Sequence, residues 1–319
     1  MPQSSPPKPR RAEGFARFRP VISLANGDLR LELLPELGAA IATLRYRGRD
    51  VLRPTPALAS DPFETAAFAL VPFANRIAGG SFRSGAREVR IERNAPGQAH
   101  PLHGHAWRKP WRIESAAGAR VTLSFEHPAD SWPWRYAASQ TLTLRPDGLE
   151  LTLSVRNRDA TPMPAGLGWH PYFHKGAGAR LEAHVEGVWL TDAECLPVQL
   201  APGTRFGQWD RGEALARLQF IDHCHTGWSG TARIVLPAER LCVALTASAP
   251  LRWLHIYNPP DKDFFCVEPV SHMPNALNRP EPPTVTGQKI LEPGESLEGR
   301  VLLIVSEETI AATGHGPSA

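Results

Sequence analysis

Along most of its length the chain alternates apolar and polar residues one by one, and no helix can bury such a pattern on one side. LRLELLP (29–35), REVRIER (87–93), RVTLSFEH (120–127), SQTLTLR (139–145), LELTLSVRN (149–157), TARIVLP (231–237), LRWLHIYN (251–258) and LEGRVLLIV (297–305) all show it. Each reads as a half-buried strand. Turn pairs such as Pro96-Gly97, Pro202-Gly203 and Pro293-Gly294 separate the runs, and RPDGLE around Pro146-Asp147-Gly148 joins two of them as a hairpin. With 26 glycines and 32 prolines, long helices have nowhere to form; RGEALARL (211–218) is the one stretch with helical spacing. An all-β antiparallel sandwich or barrel follows.

At 319 residues and 42% hydrophobic, the chain can bury a large core. With no repeat or linker-like shift in composition, residues 21–310 read as a single domain. The first twenty, MPQSSPPKPRRAEGFARFRP, hold five prolines and much of the basic excess, and read as a disordered basic tail. The net charge is only +3, which argues against a nucleic-acid partner. No apolar run approaches the ~18 residues of a membrane span, and the start lacks a signal-peptide core. Cys195, Cys224, Cys242 and Cys266 are widely spaced and read as reduced thiols, so a cytoplasmic setting is expected.

Three stretches concentrate reactive side chains. AGLGWHPYFH (165–174) puts His170 before a proline among aromatics, where it must be extended and its imidazole can be tuned across neutrality. HPLHGHAWRKPW (100–111) places His103 and His105 two apart, on one face if the segment is a strand. FFCVEPVSH (264–272) sets Glu268 in an apolar strand, where burial should raise its pKa. A buried salt bridge from Glu268 to Arg76 or Arg252 is the alternative use. His103, His105, His170, His174 and Glu268 together could ligate a metal, as in a metal-dependent β-barrel enzyme. His105, His174 and His272 are read instead as packing or surface histidines. PFANRIAGGSF (72–82) adds Asn75 and Arg76, the latter a fork of donors for hydroxyls or a carboxylate. Asp222 in FIDHCHTGWSG is an isolated acid, equally readable as a turn cap. Trp107, Trp169 and Trp228 sit beside these motifs and could stack on a sugar ring. No phosphate-binding glycine loop, nucleophile elbow or Cys–His signature is present.

In this order, NRIAGGSF, LHG, HPYFH, DHCHTGW, FFCVEPVSHMPNALN and LEPGESL resemble the motifs of the aldose 1-epimerase (galactose mutarotase-like) family, across nearly the whole chain after the tail. The resemblance implies a β-supersandwich and interconversion of the α and β anomers of a free sugar, without metal or other cofactor. It implies His170 as general acid, Glu268 as general base and His103 near the ring oxygen. Arg76 and Asp222 would bind hydroxyls, with Asn75 included by adjacency. Three other uses of the same residues stay open: a hexose-6-phosphate 1-epimerase, a non-catalytic carbohydrate-binding module, and the metal-dependent enzyme.

Overall fold

The computed structural model describes residues 21–308, so the expected tail at 1–20 and the last two residues of the expected domain lie outside it. Two large antiparallel sheets dominate. The first has eleven strands and runs from an edge at Ile22–Asn26 through Leu29–Leu34, Ala40–Tyr46 and Ala67–Leu70 to Gly168–His174. It continues through Phe264–Val270, Trp253–Asn258, Ile221–Thr226 and Gly187–Thr191 to Pro197–Pro202, and the two-residue strand Arg49–Asp50 pairs with Ala40–Tyr46 off this path as the eleventh. The second has nine strands, with Ser296–Glu307 between Leu241–Ala247 and Gly148–Asn157. The alternating runs are all strands, and Arg145 pairs with Gly148 across the expected hairpin turn.

Burial separates the two sheets. Tyr136–Arg145 in the second sheet alternates strictly between buried and half-buried, so one face packs inward and the other meets solvent. Gly168–His174 and Phe264–Val270 in the first are buried at nearly every position. Their inward residues, Trp169, Phe173, Phe265 and Val267, belong to the core shared with the second sheet. The residues between them point the other way, and there Phe68, Tyr172, Trp189, Cys224 and Cys266 form a separate buried cluster with Trp107. The outer face of the first sheet is therefore roofed, not bare, and the roof leaves room for a site.

RGEALARL is not an α-helix. Gly212, at φ 76°, ends a 3-10 turn at Trp209–Arg211, and Glu213 and Ala214 then pair with Leu181 and Arg180 before a second 3-10 turn at Leu215–Arg217. Strand pairing at a sheet edge outweighs weak local helix propensity. Among the described residues no helix is long and apolar enough to cross a membrane.

Candidate active site

Register builds the floor of the site. Gly168 pairs with Val270 and Tyr172 with Cys266, which puts His170 opposite Glu268; Glu268 pairs with His255, and His255 with Cys224. Phe68 lies opposite His170 on the other side. One row of the sheet thus reads Phe68, His170, Glu268, His255, Cys224, all on the outer face. The next row places Tyr172, Cys266, Tyr257 and Asp222 alongside. Residues about a hundred apart in sequence become neighbours because adjacent antiparallel strands present one side chain each.

A cavity of about 500 Å³ stands over these rows, a volume in the range of small-molecule sites. His103, His170, Glu268, Asp222, Asn75 and Arg76, the six residues expected from sequence, all line it. Arg53, Tyr172, His255 and Tyr257 line it as well. The three tryptophans singled out do not: Trp107 donates to the Gly104 carbonyl and Trp228 to the Thr231 carbonyl, both buried, and Trp169 faces the other sheet. Phe63, Phe220 and Phe264 supply apolar lining instead.

His170 Nε2 lies 3.4 Å from Glu268 Oε1, with both side chains almost fully buried. The alternative arginine partners of Glu268 are engaged elsewhere, Arg76 with Asp222 and Arg252 with the Ser229 carbonyl. Burial pushes the Glu268 carboxyl up to about 8. Burial, followed by the nearby charges of His255 and Arg53, pushes His170 down to about 3. The raised carboxyl is as expected from its apolar strand, but the general-base and general-acid roles call for an ionised glutamate beside a protonated histidine, and burial biases the pair the other way, toward two neutral groups. Both forms hold the same number of protons and differ by one transfer across the 3.4 Å gap, so the pair titrates as a unit.

His103 is fixed as a donor. The Asn75 backbone N–H donates to His103 Nδ1 at 3.1 Å, and the His103 backbone N–H donates to the Asn75 carbonyl. A neutral imidazole that accepts at Nδ1 carries its proton on Nε2, and burial holds His103 well below its ordinary pKa. His103 and His105 do not share a face. His103 and Gly104 have φ of 60° and 71°, so the segment is a left-handed turn and not a strand; His105 stacks on His127 away from the cavity. A Cβ on Gly104 would lie 2.0 Å from the Val71 carbonyl oxygen. Gly104→Ala is therefore expected to cost about 1–3 kcal/mol in denaturant unfolding and to displace His103; wild-type stability in the variant would count against this account of the turn.

Asp222 lies in a strand, not a turn. Its Oδ1 is 2.7 Å from His255 Nε2 and its Oδ2 3.1 Å from Arg76 Nη2. Burial opposes its ionisation, but the His255 hydrogen bond and the Arg76 charge prevail and hold it well below the usual carboxylate range. Burial likewise works against charge on His255, and there the Asp222 hydrogen bond and the charges of Glu268 and Asp222 raise the imidazole above its ordinary value. Asn75, in the left-handed region at φ 58°, accepts from the Arg76 N–H and from Arg76 Nη1 and so orients that guanidinium. His272 supports the same turn, since its Nε2 accepts the Ala74 N–H.

The wider ligand set of the metal reading does not assemble, because neither His105 nor His174 lines the cavity. His170, Cys266 and Glu268 do place one ligand atom each within 4.8 Å of one another. Burial keeps the Cys266 thiol well above its ordinary pKa, and a protonated thiol is a poor ligand. His255 and Arg53 line the cavity without being among the residues expected from the sequence. His255 had a signal, a polar residue on the outward side of the alternating LRWLHIYN run; Arg53 follows a two-residue strand and had none.

The fold and the cavity define a β-sandwich protein with a buried imidazole–carboxyl pair on the floor of a small-molecule site. A sequence model described as aldose 1-epimerase matches residues 20–303, and the chain belongs to that family. It is 34% identical over 298 residues to the uncharacterized protein YphB of Escherichia coli K12, spanning 89% of this chain and 98% of that protein. A crystal structure from Escherichia coli K12, 32% identical, superposes with a TM-score of 0.82 over 90% of this chain and 99% of that one. That of a galactose mutarotase-like protein from Clostridium acetobutylicum, 22% identical, has a TM-score of 0.81 over 90% and 95%, and shares the fold.

Proposed function

We propose that the protein is an aldose 1-epimerase that interconverts sugar anomers by acid–base ring opening and re-closure. The observation that carries the reading is the side-by-side placement of His170 and Glu268. In a cyclic sugar the anomeric hydroxyl and the ring oxygen are both bonded to C1. Opening the ring takes a proton from the first and gives one to the second, so the base and the acid must stand as neighbours.

Glu268 takes the proton from the C1 hydroxyl and His170 delivers one to the ring oxygen. The C1–ring-oxygen bond breaks to give the open-chain aldehyde, rotation about C1–C2 turns the carbonyl, and the C5 hydroxyl re-closes on either face. Re-closure reverses both transfers, leaving the pair as it began. The proton-transferring form is the ion pair, reached from the neutral pair by the internal shift described above. His103 Nε2–H donates to a sugar oxygen and stays neutral throughout. Arg76 and Asp222 hold hydroxyls, the guanidinium donating and the carboxylate accepting, with Asn75 orienting Arg76.

The pH dependence tests this. Turnover requires the pair to hold its transferable proton, which is lost as pH rises through about 8, the raised value of Glu268. A further proton would be gained only near about 3. Anomer exchange followed by NMR should therefore be flat through neutrality and fall on the alkaline side near about 8. A rate that instead rises tenfold across that range would show Glu268 acting without a proton on the pair, and the scheme would fail.

A further inference from the structure

Two guanidinium groups line the cavity, and the fold provides a counter-charge for one of them. Arg76 is neutralised by Asp222. Arg53 is held by its surroundings but not neutralised: Nη2 donates to the carbonyls of Phe63 and Thr65 at 2.7 and 2.8 Å, and the backbone N–H donates to the Tyr172 carbonyl. Nε is buried with no partner, and Nη1 makes no hydrogen bond among the described residues. No carboxylate of the described residues forms an ion pair with it; Glu64 instead caps its own turn. The group sits against two aromatic rings, its Cζ 3.9 Å from the Tyr172 centroid and 4.5 Å from that of Phe264. Aromatic faces and two backbone carbonyls do not neutralise a half-buried cation, and leaving it so costs free energy.

Its position matters as much as its charge. Tyr172 stacks on His170 with centroids 4.7 Å apart, so Arg53 stands one side chain beyond the imidazole along its strand. With Glu268 at the C1 hydroxyl and His170 at the ring oxygen, C5 and its exocyclic carbon fall on the His170 side of the pair, the side on which Tyr172 and Arg53 stand. Resting on the epimerase reading above, we propose that the cavity takes an aldose carrying an oxyanion, carboxylate or phosphate, on that exocyclic carbon, and that Arg53 binds it through the unused N–H groups of Nη1.

The test compares anomer-exchange rates by NMR for glucose and galactose, their uronic acids, and their 6-phosphates. The proposal expects at least one anionic sugar to exceed its neutral parent by about 10- to 100-fold in kcat/KM, the gain of one charged hydrogen-bonded contact. The advantage should lie in KM and shrink with added salt. In Arg53→Gln the ratio of anionic to neutral kcat/KM should fall close to one, and Arg53→Lys should keep part of it. The uronate and phosphate arms separate the two oxyanions. Wild-type protein that treats neutral and anionic sugars alike, or a ratio untouched in Arg53→Gln, overturns the proposal and leaves the epimerase reading standing. If none of the six sugars exchanges, the epimerase reading itself falls and takes this proposal with it.

Discussion

Glu268→Gln is expected to lower the rate of anomer exchange by roughly 10²–10⁴-fold, the usual contribution of a positioned base. Glutamine keeps the shape of the side chain, and the proposed sugar contacts of His103, Arg76 and Asp222 are left in place, so binding measured by calorimetry should change little. The same substitution should stabilise the fold in alkaline solution. The carboxyl is raised to about 8 in the folded protein from an ordinary value of 4.5. The folded state thus holds a proton that the unfolded chain releases, and stability declines as pH climbs from the lower value through the higher. The variant has no such proton to lose, so its unfolding midpoint at about pH 9 should exceed that of the wild type. Near-full activity would remove Glu268 from the chemistry; an unchanged midpoint would show that its burial carries no cost.

Asp222→Asn should damage both binding and the fold. Asp222 is shared by a guanidinium and an imidazole, all with side chains close to 90% buried or more. The amide matches the carboxylate in size but cannot balance Arg76 or keep His255 charged. Removing one member of a buried charged cluster typically costs about 3–5 kcal/mol, so thermal unfolding should shift markedly downward. KM should rise more than kcat falls, because His170 and Glu268, the proposed acid and base, remain opposite one another in the sheet. An equal loss in kcat with KM unchanged would place Asp222 in the chemistry instead of in binding.

Much of this was legible in the sequence, for identifiable reasons. Period-two alternation fixes strands, and a strand fixes the face of each side chain; the polar residues His170, Glu268 and Asp222 within apolar runs therefore marked a buried polar site. The exceptions share one cause. Helical spacing in RGEALARL, the same-face placement of His103 and His105, and the turn reading of Asp222 were all local inferences, and tertiary pairing or a left-handed backbone decided each otherwise. Arg53 could not be found from sequence, because what distinguishes it is the lack of an ionic partner among the described residues, a property of three dimensions. The raised carboxyl of Glu268 followed from its apolar strand, whereas the lowered imidazole of His170 was out of reach for a related reason, since it depends on how completely the roof excludes water.

The floor and the roof of the cavity come from different kinds of structure. His170, Glu268, His255 and Asp222 lie on four hydrogen-bonded strands, where a one-residue insertion would turn a side chain into the opposite core. Arg53, Phe63, Gln98, Glu194, Cys195 and Phe220 come from the connections above them. Connections tolerate insertion and replacement. Grafting the 95–99 or 192–196 segment from a relative thus reshapes the roof while leaving His170 and Glu268 on their strands.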